Sequence, residues 1–157
     1  MWARDDVQQL RPAVRAGNDV SEYTYRSQVI KALKRMRSDP QAVENSANPG
    51  CPDVECLRGW LELKYLPKWP KQHDTTVTID HYTQQQRNFL RRRWKAGGGA
   101  WLLLRVGSRG VIENLLFDGL TAWEFVGRVP RARLTDLAIL HSYGRIATAD
   151  LDEMLTR

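Results

Sequence analysis

The sequence is poor in the residues that hold small proteins together by covalent bonds or through metal. Among 157 residues there are two cysteines, Cys51 and Cys56, and three histidines. Two thiols exclude a disulfide-dense secreted scaffold, and His73 and His81 lack the spacing for a zinc finger. Both cysteines read as reduced thiols of a cytoplasmic protein. Long apolar runs are missing too. No stretch approaches the ~20 residues of a membrane span, and residues 1–6 carry no signal-peptide core. There is no internal repeat or low-complexity tract, which excludes solenoids and arrays. What is present is an apolar content of 42%, enough for a core and too much for global disorder. The length suits one domain, residues 1–157. The formal charge is +6, which favours a polyanionic partner but also fits many soluble proteins without one.

The chain is organised around residues 48–64, NPGCPDVECLRGWLELK. Asn48-Pro49-Gly50 breaks regular structure, and Cys51-Pro52 holds the chain extended because proline restricts the residue before it. A short strand over 53–57, a turn at Arg58-Gly59 and a second strand over 60–66 make a hairpin. Side chains alternate along a strand, so Glu62 and Lys64 share one face while Leu61, Leu63 and Tyr65 share the other. The hairpin brings Asp53 beside Glu62 and Lys64. Hard cations such as Mg²⁺ take oxygen ligands, with one or two carboxylates typical. Asp53 and Glu62 supply two, and the Leu63 carbonyl can add a third. A lysine beside them can orient an attacking water or offset charge building on a phosphate. The plain alternative is a solvated hairpin with an ordinary ion pair.

Upstream, residues 19–37 read as an amphipathic helix, capped by Asp19 or Ser21, with Tyr25, Val29, Ile30, Leu33 and Met36 at helical spacing. Glu22 falls on the same stripe. Either it favours the helix dipole from the first turn, or it points over the sheet toward Asp53 and Glu62. Glu44, within a possible first strand over 42–45, competes for that place. Residues 2–10 suggest a further short helix.

Downstream, residues 65–73 form a loop, because two prolines forbid a central strand. Lys68, Trp69 and Lys71 suit phosphate contact with base stacking, or else Trp69 covers the core. Residues 75–79 alternate like a short edge strand. A helix over 83–96 follows, with Thr83 as N-cap and Gln86 completing a capping box. Gln86 either caps the helix or turns its amide to the catalytic sheet. Arg87, Arg91 and Lys95 form a basic patch able to neutralise nucleic-acid phosphates, or a solvated face. Gly97-Gly98-Gly99 ends the helix. Residues 100–106, AWLLLRV, read as a buried central strand, and 111–117 as another, turned by Asp118-Gly119. Two short helices separated by Gly144 close the chain, with His141 packed among apolar neighbours.

Pro52-Asp53 and Glu62-Leu63-Lys64 resemble the two half-motifs of the PD-(D/E)XK nuclease superfamily. The glutamine-bearing helix, glycine break and buried strand that follow are similar to those of virus-type replication-repair nucleases and phage-type Holliday-junction resolvases. The resemblance covers residues 20–117. It implies a restriction-endonuclease-like α/β core, a mixed central sheet flanked by helices, and an Mg²⁺- or Mn²⁺-dependent endonuclease acting on DNA. By the same resemblance Glu22 is the first-helix acid that helps to hold metal, Gln86 is accessory, and branched DNA, a Holliday junction, is the substrate. Residues 118–157 stand outside the resemblance as a helical extension, a candidate interface for a homodimer. A flap, restriction-like or repair nuclease, or a DNA-binding module without catalysis, are the competing readings.

Overall fold

A computed structural model describes residues 18–44, 47–107, 111–146 and 148–155, the side chains of residues 18–22, 150, 153 and 154 excepted. The expected helix over 2–10 lies outside them. The described chain begins with α1 (Asn18–Arg35). Tyr25, Val29, Ala32 and Leu33 recur every three or four residues and are all buried, so one stripe of the helix faces the interior. Then come β1 (Gln41–Ala42), β2 (Val54–Cys56) and β3 (Gly59–Leu66). β1 and β2 pair antiparallel, as do β2 and β3, with Cys56 opposite Gly59. The hairpin therefore turns on Leu57-Arg58, one residue earlier than expected, and β1 is shorter and begins earlier than 42–45.

Gly59 shows why the turn sits there. Its φ is +141° and a Cβ on it would lie 2.2 Å from the Gly99 carbonyl oxygen. That carbonyl accepts the Trp60 N–H at 3.0 Å. Only a residue without a side chain lets the two backbones approach this closely in that conformation.

A parallel neighbour for β3 needs a crossover, and α2 (Gln84–Lys95) supplies it before β4 (Ala100–Val106). β4 is buried on both faces, as its unbroken apolar run demands. Leu102 and Leu104 join Leu90 of α2 in one core, while Trp101 and Leu103 join Val29 and Leu33 of α1 in the other. β5 (Glu113–Asp118) runs antiparallel to β4. Asp118 does not turn the chain back. It caps α3 (Gly119–Glu124), accepting from the Leu120 and Thr121 N–H groups at 2.9 Å each. α4 (Arg131–Leu137), β6 (Leu140–Tyr143) and α5 (Thr148–Leu155) complete the order.

The result is a mixed six-stranded sheet, β1-β2-β3-β4-β5-β6, parallel only between β3 and β4. Helices α2 and α3 cover one face, and α1 and α5 the other. The expected pair of helices is present as α4 and α5, and an unexpected strand lies between them. Residues 140–143 are a strand paired with β5, and Leu151 and Leu155 of α5 are core residues against α1. His141 lies on β6, its Nε2 3.2 Å from Glu113 Oε2. Residues 75–79 make only an isolated bridge, Thr76 with Pro130, although Val77 and Ile79 alternate into the core. Among the described residues no helix is long and apolar enough to cross a membrane, and both cysteines are free.

Candidate metal centre

β2 ends early on the side of β3 that it covers. Its last partner is Val54 opposite Leu61, so β3 from Glu62 onward has an open edge on that side. Asp53 fills the first gap: its Oδ2 accepts the Leu63 N–H at 2.8 Å. In an extended strand the N–H and C=O of one residue point to the same side. The Leu63 carbonyl therefore emerges beside Asp53, and both residues line a cleft of about 320 Å³ with Tyr23, Arg26, Lys64, His81 and Gln86.

Glu62 and Lys64 project from the opposite face to Leu61 and Leu63, as alternation requires, and both are buried. Glu62 is wholly inaccessible. Its Oε1 accepts two charge-assisted bonds, from Lys64 Nζ at 2.8 Å and Gln86 Nε2 at 2.7 Å. Its Oε2 is buried and among the described residues no donor reaches it, the Asp53 carboxylate being the group within hydrogen-bonding reach of the Glu62 side chain. Burial pushes the Glu62 pKa up to about 8, the Asp53 carboxylate beside it pushes the same way, and Lys64 opposes both. An orphaned carboxylate oxygen next to a second carboxylate is a poor arrangement for stability alone.

A backbone carbonyl and a side chain hold Lys64 and Glu62 in place. The Lys64 ammonium also donates to the His81 carbonyl at 3.1 Å, which is presented by a residue at φ +62°. Gln86 does both things expected of it as alternatives. Its Oε1 accepts the Thr83 N–H at 2.9 Å, closing the capping box, while its Nε2 reaches Glu62. The first turn of α2 is thereby tied to the buried acid. Gly50 sets the other side of that turn, since a Cβ there would meet Gln85 Cβ at 2.6 Å. The NPG turn and the helix start are thus packed without space between them.

The donor set is hard: the Asp53 carboxylate, the orphaned Glu62 Oε2 and the Leu63 carbonyl. It fits a small divalent cation with water and a phosphate completing the shell. Among the described residues no group of three or more His, Cys, Asp or Glu side chains is gathered to hold a metal, so the third protein oxygen at this place is the backbone carbonyl. Glu22 lies on α1, but its side chain is outside the described residues. Glu44 is exposed and its carboxylate pairs with Arg26 at 3.4 Å, at the rim of the cleft and away from its floor.

The expected nucleic-acid contacts divide. Lys68, Lys71 and Lys95 are exposed. Trp69 is not free to stack on a base: its Nε1 donates to Glu113 Oε1 at 2.9 Å and the Arg131 guanidinium lies 4.9 Å from its ring. Arg87 and Arg91 are not a solvent-facing patch either. Arg87 is buried, 4.0 Å from the Tyr82 ring, with Nη1 3.4 Å from the Trp123 carbonyl. Arg91 lies 4.2 Å from the Trp123 ring. α3, where a turn was expected, packs on α2: its Trp123 offers a carbonyl to Arg87 and a ring face to Arg91, while Tyr82 supplies the ring over Arg87. Tyr23, Arg26 and His81 line the cleft without having been singled out. The only sequence signal for the first two is their three-residue spacing on α1, and nothing marks His81.

No family model, curated protein or solved structure matches the chain.

Proposed function

We propose that the chain is a metal-dependent DNA endonuclease of PD-(D/E)XK type, hydrolysing phosphodiester bonds at the cleft that Asp53, Leu63 and Lys64 line, with Glu62 buried beside them. One observation carries this reading. Glu62 is fully buried against the Asp53 carboxylate and among the described residues no donor reaches its Oε2, although a lysine and a glutamine are both spent on Oε1. A structural ion pair needs only Lys64. A second carboxylate and a vacant oxygen raise the cost of folding, which is the signature of a site shaped for a ligand.

Asp53, Glu62 Oε2 and the Leu63 carbonyl are the atoms that would hold Mg²⁺ or Mn²⁺, with Glu22 as the further acid. When bound, the cation supplies Lewis-acid polarisation of the scissile phosphate and offsets the charge that grows on it. Lys64 orients the attacking water and stabilises the developing negative charge; the His81 carbonyl and Glu62 Oε1 fix its ammonium at 3.1 and 2.8 Å. Water adds to phosphorus, the bond to one sugar oxygen breaks, and the released alkoxide takes a proton. Gln86 positions Glu62 and does not touch the reacting atoms. Because Glu62 holds a proton at neutral pH when no cation is present, loading of the site releases that proton and strengthens as pH rises toward about 8.

Branched DNA, a four-way junction, is the substrate we favour, on resemblance to the junction-resolving nucleases. A homodimer suits it, since a twofold-symmetric junction takes two sites related by a twofold. The test is cleavage of end-labelled four-way junction, flap and linear duplex DNA, each with Mg²⁺ and with EDTA. Cation-dependent cutting of the junction in preference to the other two is expected. Preference for flap or duplex moves the substrate within the same chemistry. Binding with no cutting under any cation reduces the protein to a DNA-binding module.

A further inference from the structure

The acid cleft occupies one flank of α1, where Tyr23 and Arg26 reach it. Helical spacing puts Gln28, Lys31 and Arg35 about 80–140° around the axis from Tyr23, toward the other flank. There α1, the end of β4 and the start of α5 enclose a second cleft of about 350 Å³. Four cations line it, Lys31, Arg35, Arg105 and Arg145, and among the described residues no carboxylate does. No ion pair engages any of the four among the described residues.

Arg105 is the anchored member. Its Nη1 donates to Gln28 Oε1 at 3.1 Å and its guanidinium lies 5.3 Å from the Tyr25 ring. Its Nε is buried and has no partner among the described residues. A guanidinium held by packing, with a donor left unsatisfied, loses little freedom on taking a ligand. Four like charges around one concavity repel unless an anion enters, and the low-dielectric walls concentrate their field. The Ser27 and Thr148 side chains line the same cleft.

We propose that this cleft binds a phosphate group, at a site separate from the acid cleft and independent of the nuclease reading. Phosphate suits it better than a carboxylate does, because it brings up to two charges and several acceptors to a fork-shaped donor and its neighbours. The volume stands near the lower end of ligand pockets, which fits a phosphate with its sugar. The phosphate comes either from a polynucleotide backbone or from a free phosphorylated compound.

Calorimetric titration with inorganic phosphate, at low ionic strength and in EDTA, tests the site directly. The comparison is between the wild type and the doubly substituted R35Q/R145Q protein. Both positions are exposed, and a urea melt unchanged from the wild type shows that the fold is intact. The expected result is saturable uptake of one phosphate per chain, weakened about tenfold or more in the variant. Absence of saturable uptake by the wild type overturns the proposal, as does uptake unchanged in the variant. A single-stranded oligonucleotide then separates the sources. If its backbone is the ligand, the slope of log affinity against log salt falls by about 1.4 in the variant, since each of the two contacts on a single strand contributes about 0.7. An unchanged slope beside lost phosphate uptake assigns the site to a free phosphorylated compound.

Discussion

Replacing Asp53 by asparagine separates stability from function at the acid cleft. The amide oxygen can still accept the Leu63 N–H that Asp53 now accepts at 2.8 Å, so the local backbone keeps its partner. What disappears is a negative charge beside Glu62. The Glu62 pKa is about 8 in the folded protein against an ordinary 4.5. Below 4.5 the folded and unfolded chains both hold this proton. Between 4.5 and about 8 the unfolded chain gives it up while the folded one retains it, so the folded state binds more protons and loses stability as pH rises. Above about 8 the loss is complete. Burial is the largest cause and the Asp53 charge the next. A like charge in contact moves a carboxyl by about 1–3 pH units, equivalent to about 1–4 kcal/mol. Urea melts in EDTA at pH 5 and pH 9 measure this. Between those values the stability of Asp53→Asn should move in the variant's favour by about 1–4 kcal/mol relative to wild type. Added Mg²⁺ should raise the wild type by about 2.7 kcal/mol at a hundredfold excess over its dissociation constant, and leave the variant unmoved. Cleavage by the variant should be lost. Parallel pH profiles, or equal stabilisation of both proteins by Mg²⁺, would refute the coupling of these two carboxyls at a cation site.

Lys64→Ala should abolish cleavage while DNA binding, read by gel shift in Ca²⁺, stays within a few-fold; full-rate cutting by this variant would remove Lys64 from the mechanism. Glu22→Gln should lower the cleavage rate far more than Glu44→Gln, whose carboxylate is turned out to Arg26; the reverse ranking in single-turnover assays would transfer the role to Glu44. Arg87→Ala should cost about 1–3 kcal/mol in urea melts, through the Tyr82 ring and the Trp123 carbonyl it leaves behind. Its salt slope for DNA should equal that of wild type, and a reduced slope would return Arg87 to the DNA surface.

Much of the site was legible because strand alternation and a short hairpin are local physics. Asp53, Glu62, Leu63 and Lys64 lie within twelve residues, so a tight turn is enough to bring them together, and the error of one residue in that turn changed none of the faces. The Thr83–Gln86 capping box is equally local, and so is the double apolar run of β4. Residues far apart in the chain were the ones misread. Arg87 and Arg91 have the composition of a basic patch, and only α3 folding onto α2 gave Arg87 the Trp123 carbonyl and Arg91 the Trp123 ring. Trp69 sits among lysines in the sequence, yet Glu113, forty-four positions on, takes its N–H.

What the amino-acid order determined by itself is the apolar period of each element, the caps and breaks between elements, and the identity of the carboxylates and lysine that meet on one hairpin. Tertiary structure alone decided that β2 stops short and bares the Leu63 carbonyl, that residues 140–143 join the sheet, and that Glu62 is buried deeply enough to keep its proton to about pH 8. The reason is that periodicity and turn chemistry act over a few residues, whereas desolvation and partner choice depend on which distant segments close over a side chain.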